Sequence, residues 1–177
     1  MSGRIVIVHN GIVENYLSLK EELIAEGVDF KSETDTETIA HLIEIFYNET
    51  NDLATAVQKT LKMIKGAHGL VVMSTVEPEK LIAARLGNAG GVAIGIGENE
   101  MFIASDIPAI VGYTRKMVFL ESGQFAIVKR DGFSIQNLEG NPVKTEIQNI
   151  PWDPISAEKG KYRHFMQKEI HEQVRSL

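Results

Sequence analysis

Three features of this sequence predict an α+β fold. Up to Gly66, one short apolar run is followed by stretches of helical spacing. Beyond Gly66, the apolar residues fall in short runs broken by turn residues, the pattern of strands. A final helical stretch, "RHFMQKEIHEQV", closes the chain. A strand, three helices, many strands and a helix, in that order, fit sheets packed face to face with helices outside.

Taken in order, residues 5–8 are a continuous apolar run and read as a short buried strand. A helix follows from Asn15, with Leu19, Leu23 and Ile24 as its apolar stripe and Gly27 as its terminator. "SETDTETIAHLIEIFY" opens a second helix, where Thr34 and Glu37 have capping-box spacing. A third helix starts after Asn51, runs through Leu53, Val57, Leu61 and Ile64, and stops at Gly66. Strands are then expected in "AHGLVVMSTV", "KLIAARLG", "GGVAIGIG", "EMFIAS", "KMVFLES" and "QFAIVKRDG", the last turning at Asp131-Gly132 into "FSIQN". "SDIPAIVGYT" reads as a short helix, and "IPWDPISAEKGKY" as an irregular connector.

Composition narrows the function. A chain of 177 residues suits one domain. Net charge is −6, and Lys129, Arg130 and Lys144 are scattered, which argues against a nucleic-acid partner. No apolar run approaches the ~20 residues of a membrane-spanning helix, so no membrane partner and a cytoplasmic location are expected. There is no cysteine, hence no disulfide, no thiolate metal site and no thiol nucleophile within these residues.

Chemistry-bearing candidates are few. Gly87, Gly90, Gly91, Gly95 and Gly97 do not complete a dinucleotide fingerprint or a P-loop, and are read as turns and close strand packing. His9, His41, His68, His164 and His171 are dispersed, and the Glu37/His41 pair alone is no metal site. Asn10-Gly11 has two readings: a tight turn, or a side-chain amide and a backbone N–H that together receive a developing oxyanion. Asp35 also has two: an aspartate favoured by the helix dipole, or a carboxylate at a pocket mouth that pairs with a ligand ammonium.

Together these segments resemble a known family. "VHNGIVENYLSLKEELIAEGVDFKSETDTETIAHLI" resembles the class II glutamine amidotransferases, in which Asn-Gly and a "DTE" helix start recur. "LIAARLG", "FIASDIPAIVGYTR", "VFLESGQFAIV" and "YRHFMQKEIHEQ" narrow this to the glutaminase domain of the glutamine–fructose-6-phosphate aminotransferases (glucosamine-6-phosphate synthases). The resemblance implies an N-terminal nucleophile hydrolase-like αββα sandwich, here partial and N-terminally truncated. It implies that an N-terminal cysteine attacks the glutamine amide with its own amine as base. Asn10 and Gly11 would then hold the oxyanion, and Asp35 the glutamine ammonium. Ammonia would pass to a fructose-6-phosphate-binding synthase domain, with no metal or cofactor involved.

The departures from that family are expectations in their own right. The family's cysteine and its "RWATHG" segment are not in this sequence, and Arg85-Leu86-Gly87-Asn88-Ala89 replaces Arg-x-Gly-Ser-Pro. Ser2 is a poor substitute nucleophile, since seven residues of strand hold it about 23 Å from Asn10. The expected organisation is a partial amidotransferase domain over residues 1–160 and a helix over 161–177 leading toward sugar isomerase domains. By itself the chain should be inactive and should self-associate through unpaired sheet edges. Another class II amidotransferase, such as amidophosphoribosyltransferase, and a non-catalytic glutamine-binding module are the competing readings.

Overall fold

The computed structural model describes residues 3–151 together with 162, 166, 167, 170 and 171. Most of the expected helix over 161–177 and of the connector before it lies outside the described residues, as does Ser2, while Met166, Gln167, Ile170 and His171 are helical.

The first strand, β1 (Ile5–Gly11), runs through the Asn10-Gly11 pair instead of stopping before it. It is an edge strand, which corrects the expectation of burial. Ile5 and Ile7 pack on the core, but Val6 and Val8 are 47% and 69% exposed. An unbroken apolar run implies cover on both faces, and here only one face is covered by the described residues.

Three helices follow: α1 (Tyr16–Ala25), α2 (Asp35–Thr50) and α3 (Leu53–Met63). Leu19 and Leu23 of α1 are buried, but Ile24 faces solvent, so the apolar stripe is narrower than expected. Gly27 takes a left-handed φ of +88°, which lets its N–H reach the Ile24 carbonyl and the Val28 N–H reach the Leu23 carbonyl. Thr34 does cap α2 in position, yet its side chain caps nothing. The Glu37 carboxylate instead accepts from the Lys31 and Ser32 N–H groups and the Ser32 hydroxyl, so the capping box is not formed. Asp52 caps α3 by accepting the Thr55 N–H at 2.7 Å.

The strands form two antiparallel sheets. One has the order β1-β2-β3-β7-β8, with β2 (His68–Ser74), β3 (Lys80–Leu86), β7 (Gln124–Lys129) and β8 (Gly132–Asn137). The other has the order β5-β4-β6-β9, with β4 (Ala93–Ile96), β5 (Met101–Ala104), β6 (Lys116–Phe119) and a two-residue β9 (Gln148–Asn149) that the sequence did not signal. Leu70, Val72, Ile82, Ala84 and Phe125 of the larger sheet pack under the three helices. On its other face, Ala83, Ala126 and Val128 meet Ile94 and Val118 of the smaller sheet, with Val92 and Leu120 just beyond the ends of β4 and β6. Among the described residues, a 3₁₀ turn (Ile107–Ala109) rather than an α-helix covers the smaller sheet's outer face. The described layers are therefore helices, sheet, sheet and a short outer turn, an α+β sandwich.

Candidate functional site

The C-terminal end of β1 distributes its residues by strand alternation. His9 points toward the helices, where its ring meets Thr36 of α2 and His68 of β2. Asn10 points the other way, into a cavity of about 220 Å³ between the two sheets, which is also lined by Val8, Val71, Ile103 and Ser105. The residue opposite Asn10 is Gly69, and Gly90 approaches the amide so closely that a Cβ there would lie 3.1 Å from Asn10 Nδ2. Among the described residues the Asn10 amide makes no side-chain hydrogen bond, so its donors are available to a ligand.

Gly11 follows with a φ of +143°, and a Cβ on it would run into the Ala67 carbonyl oxygen. Only glycine fits that combination of angle and contact. Two residues on, the Val13 N–H donates to Asp35 Oδ2 at 2.7 Å. This bond ties the first turn of α2 to the chain leaving β1. Asp35 Oδ1 lies 3.4 Å from the Thr36 hydroxyl. Asp35 is half-buried and Gly11 exposed, so both can be approached from solvent.

The structure thus brings Gly11 and Asp35 to one junction but does not place all three candidates in one cavity. Asn10 lines the inter-sheet space, and neither Gly11 nor Asp35 does. A larger cavity of about 520 Å³, bordered by Glu79, Lys80, Glu98, Glu100 and Arg130 among others, contains none of the three. The glycine segment behaves as the turns expected of it: Gly87 has a φ of +59° and a Cβ on Gly91 would lie 2.9 Å from the Ser105 carbonyl oxygen. Among the described residues no cluster of histidine and carboxylate groups could hold a metal ion.

Two residues escaped the sequence reading. His9 and His68 were read as dispersed, yet their rings lie with centroids 5.3 Å apart. Burial lowers the pKa of both below the ordinary histidine value. For His9, Asp35 opposes that shift and His68 adds to it. For His68, the Lys65 carbonyl, Asp35 and Glu14 oppose it. Both rings are therefore neutral at neutral pH. Only the pairing of β1 with β2 across three intervening helices reveals the contact, and no local pattern announces it.

Comparison with known proteins gives this sandwich a family. The profile of the glutamine amidotransferase domain matches residues 1–112, and the chain belongs to that family. It is 51% identical over 175 residues to a glutamine–fructose-6-phosphate aminotransferase (isomerizing) of Aquifex aeolicus, covering 99% of this chain and 29% of that protein. Against the enzyme of the same name from Pyrococcus horikoshii, identity is 48% over 177 residues, with the same 29% of the relative covered. The chain therefore spans less than a third of the length of these relatives. Among solved structures, glutamine phosphoribosylpyrophosphate amidotransferase from B. subtilis superposes with a TM-score of 0.67 at 26% identity, over 80% of this chain and 31% of that one. A second, the allosteric regulatory enzyme of purine biosynthesis, gives 0.65 at 27%, over 78% of this chain and 29% of that one. These neighbours are class II amidotransferases and support the N-terminal nucleophile hydrolase class. The much higher identity to the aminotransferases favours them over the phosphoribosyl enzymes as the nearer kin. No helix of the described residues is long and apolar enough to cross a membrane.

Proposed function

We propose that this chain forms the oxyanion and amine-binding side of a glutaminase site that supplies ammonia to a glutamine–fructose-6-phosphate aminotransferase. Asn10 and the Gly11 N–H receive the oxyanion formed when a thiolate attacks the glutamine side-chain amide. Asp35 holds the α-ammonium of the same glutamine. The thiol comes from outside these residues, which contain no cysteine. Ammonia then passes to a domain that binds fructose 6-phosphate.

One observation supports this reading more than any other. Asp35 is hydrogen-bonded to the Val13 N–H, two residues beyond Gly11, so the carboxylate and the Asn10-Gly11 pair are held in a fixed relation by the β1–α1 junction. Preorganised donors beside a fixed counter-charge are what amide cleavage needs.

The test is Asn10→Ala in a complete enzyme carrying this segment together with its cysteine. Loss of one oxyanion donor should lower kcat for glutamine hydrolysis about 10²–10³-fold, with KM little changed. Equal turnover would refute the role. The chain by itself should release no ammonia from glutamine, and steady release would show that the nucleophile lies within it. Saturable glutamine binding by a complete enzyme without turnover would point to a non-catalytic module.

A further inference from the structure

His9 has both ring nitrogens engaged: Nδ1 lies 2.8 Å from Thr36 Oγ1, and Nε2 lies 3.1 Å from His68 Nδ1. The other nitrogen of His68, Nε2, is 3.1 Å from the Lys65 carbonyl oxygen. A carbonyl can only accept, so His68 Nε2 carries the hydrogen. Neutral His68 then has a bare Nδ1, to which His9 Nε2–H donates. His9 Nδ1 is bare in turn and accepts the Thr36 hydroxyl. One fixed acceptor at the far end thus sets two tautomers and a hydroxyl rotor.

The near end of this chain is Asp35. Thr36 has one hydroxyl hydrogen and two nearby acceptors, His9 Nδ1 at 2.8 Å and Asp35 Oδ1 at 3.4 Å. With the histidines neutral, the hydrogen goes to His9 and Oδ1 keeps its lone pairs. Oδ2 is already held by the Val13 N–H.

We infer that His9, His68 and Thr36 are positioning residues that keep Asp35 Oδ1 open to a ligand ammonium, and that one proton on His9 closes it. This deepens the glutaminase reading above and rests on it. A proton added at His9 Nδ1 turns that atom from acceptor to donor. Thr36 Oγ1 then accepts from it, and the hydroxyl hydrogen swings to Asp35 Oδ1. The carboxylate acquires a competing donor and a neighbouring imidazolium, and both weaken its hold on a second cation.

The surroundings favour the open arrangement at neutral pH. The groups facing the pair are Asp35 from α2, Glu14 from the turn after β1, and the Lys65 carbonyl from the α3–β2 link. Asp35 and Glu14 favour the charged rings, but burial outweighs them and both pKa values fall. His68 is fully buried, and its Nε2 lies under Gly66, where a Cβ would sit 3.4 Å from it.

Two measurements test this. In long-range proton–nitrogen spectra of the 177-residue chain, both rings should be Nε2–H tautomers at neutral pH, with protonation only below the ordinary value of 6.5. An Nδ1–H tautomer in either ring overturns the relay, whatever the protein's activity. In a complete amidotransferase carrying this segment, KM for glutamine should rise about fivefold as pH falls through that range, without an equal fall in kcat. The rise should vanish in His9→Gln, shrink in Thr36→Val and persist in Thr36→Ser, with folding checked by melting. A rise unchanged in His9→Gln overturns the proposal. Absence of glutamine turnover at every pH would instead refute the glutaminase reading, and the ring spectra would still decide the relay.

Discussion

Gly11 shows how little freedom a single position can have. Its φ of +143° lies where side chains are strained, and the Ala67 carbonyl occupies the space a Cβ would need. Gly11→Ala must therefore shift β1 away from β2 or distort the link between α3 and β2. A loss of roughly 1–3 kcal/mol is expected, read from urea unfolding midpoints. An unchanged midpoint would mean that the strand end is looser than this packing implies. The neighbouring Asn10 is the opposite case: its amide makes no side-chain hydrogen bond among the described residues, so its removal should spare stability and harm turnover. The sequence made the pair visible because Asn-Gly closes an apolar run and is followed by helical spacing instead of a returning strand. It could not choose between a turn and an oxyanion site, since that choice depends on Gly90 and Asp35, distant in the chain.

Elements were most legible where local physics suffices. The glycine end of α1 and the period change after Gly66 follow from backbone preferences and were read correctly; the β7–β8 hairpin also forms, but its two-residue turn is Arg130-Asp131, with Gly132 already in β8 opposite Lys129. The failures share a cause, tertiary competition. Thr34 and Glu37 have the right spacing for a capping box, but Glu37 is drawn inward by the loop at Lys31 and Ser32. Burial alone would raise the Glu37 pKa, yet the Ser32 hydroxyl and the two N–H groups, with His41 nearby, bring it down to about 2. Between its ordinary value of 4.5 and about 2, the unfolded chain binds a proton that the folded chain refuses. The stabilisation is thus complete above pH 4.5 and drains away as pH falls toward about 2. Glu37→Gln offers one acceptor oxygen where the carboxylate accepts three bonds. The variant should be less stable at neutral pH and should lose less stability on acidification, as measured by urea melts at several pH values. A parallel pH profile in wild type and variant would contradict this account of the loop.

For the whole molecule, the telling feature is where the sandwich stops. Among the described residues β1 and β5 are terminal strands of their sheets, and Val8 and Ile103 line the same cavity, so both open edges lie on one flank. Val6 and Val8 leave apolar surface there. Such an edge invites pairing with another chain, and sedimentation should show association that grows with concentration. A clean monomer at high concentration would count against it. Amide hydrogen exchange would register the same asymmetry strand by strand. β3, with bonded neighbours on both sides, should exchange slowly, while outward amides of β1 and β5 exchange fast in dilute solution. If copies pair along this flank, protection should climb in β1 and β5 with protein concentration and stay flat in β3, turning the exposed rim into a gauge of its own occupancy.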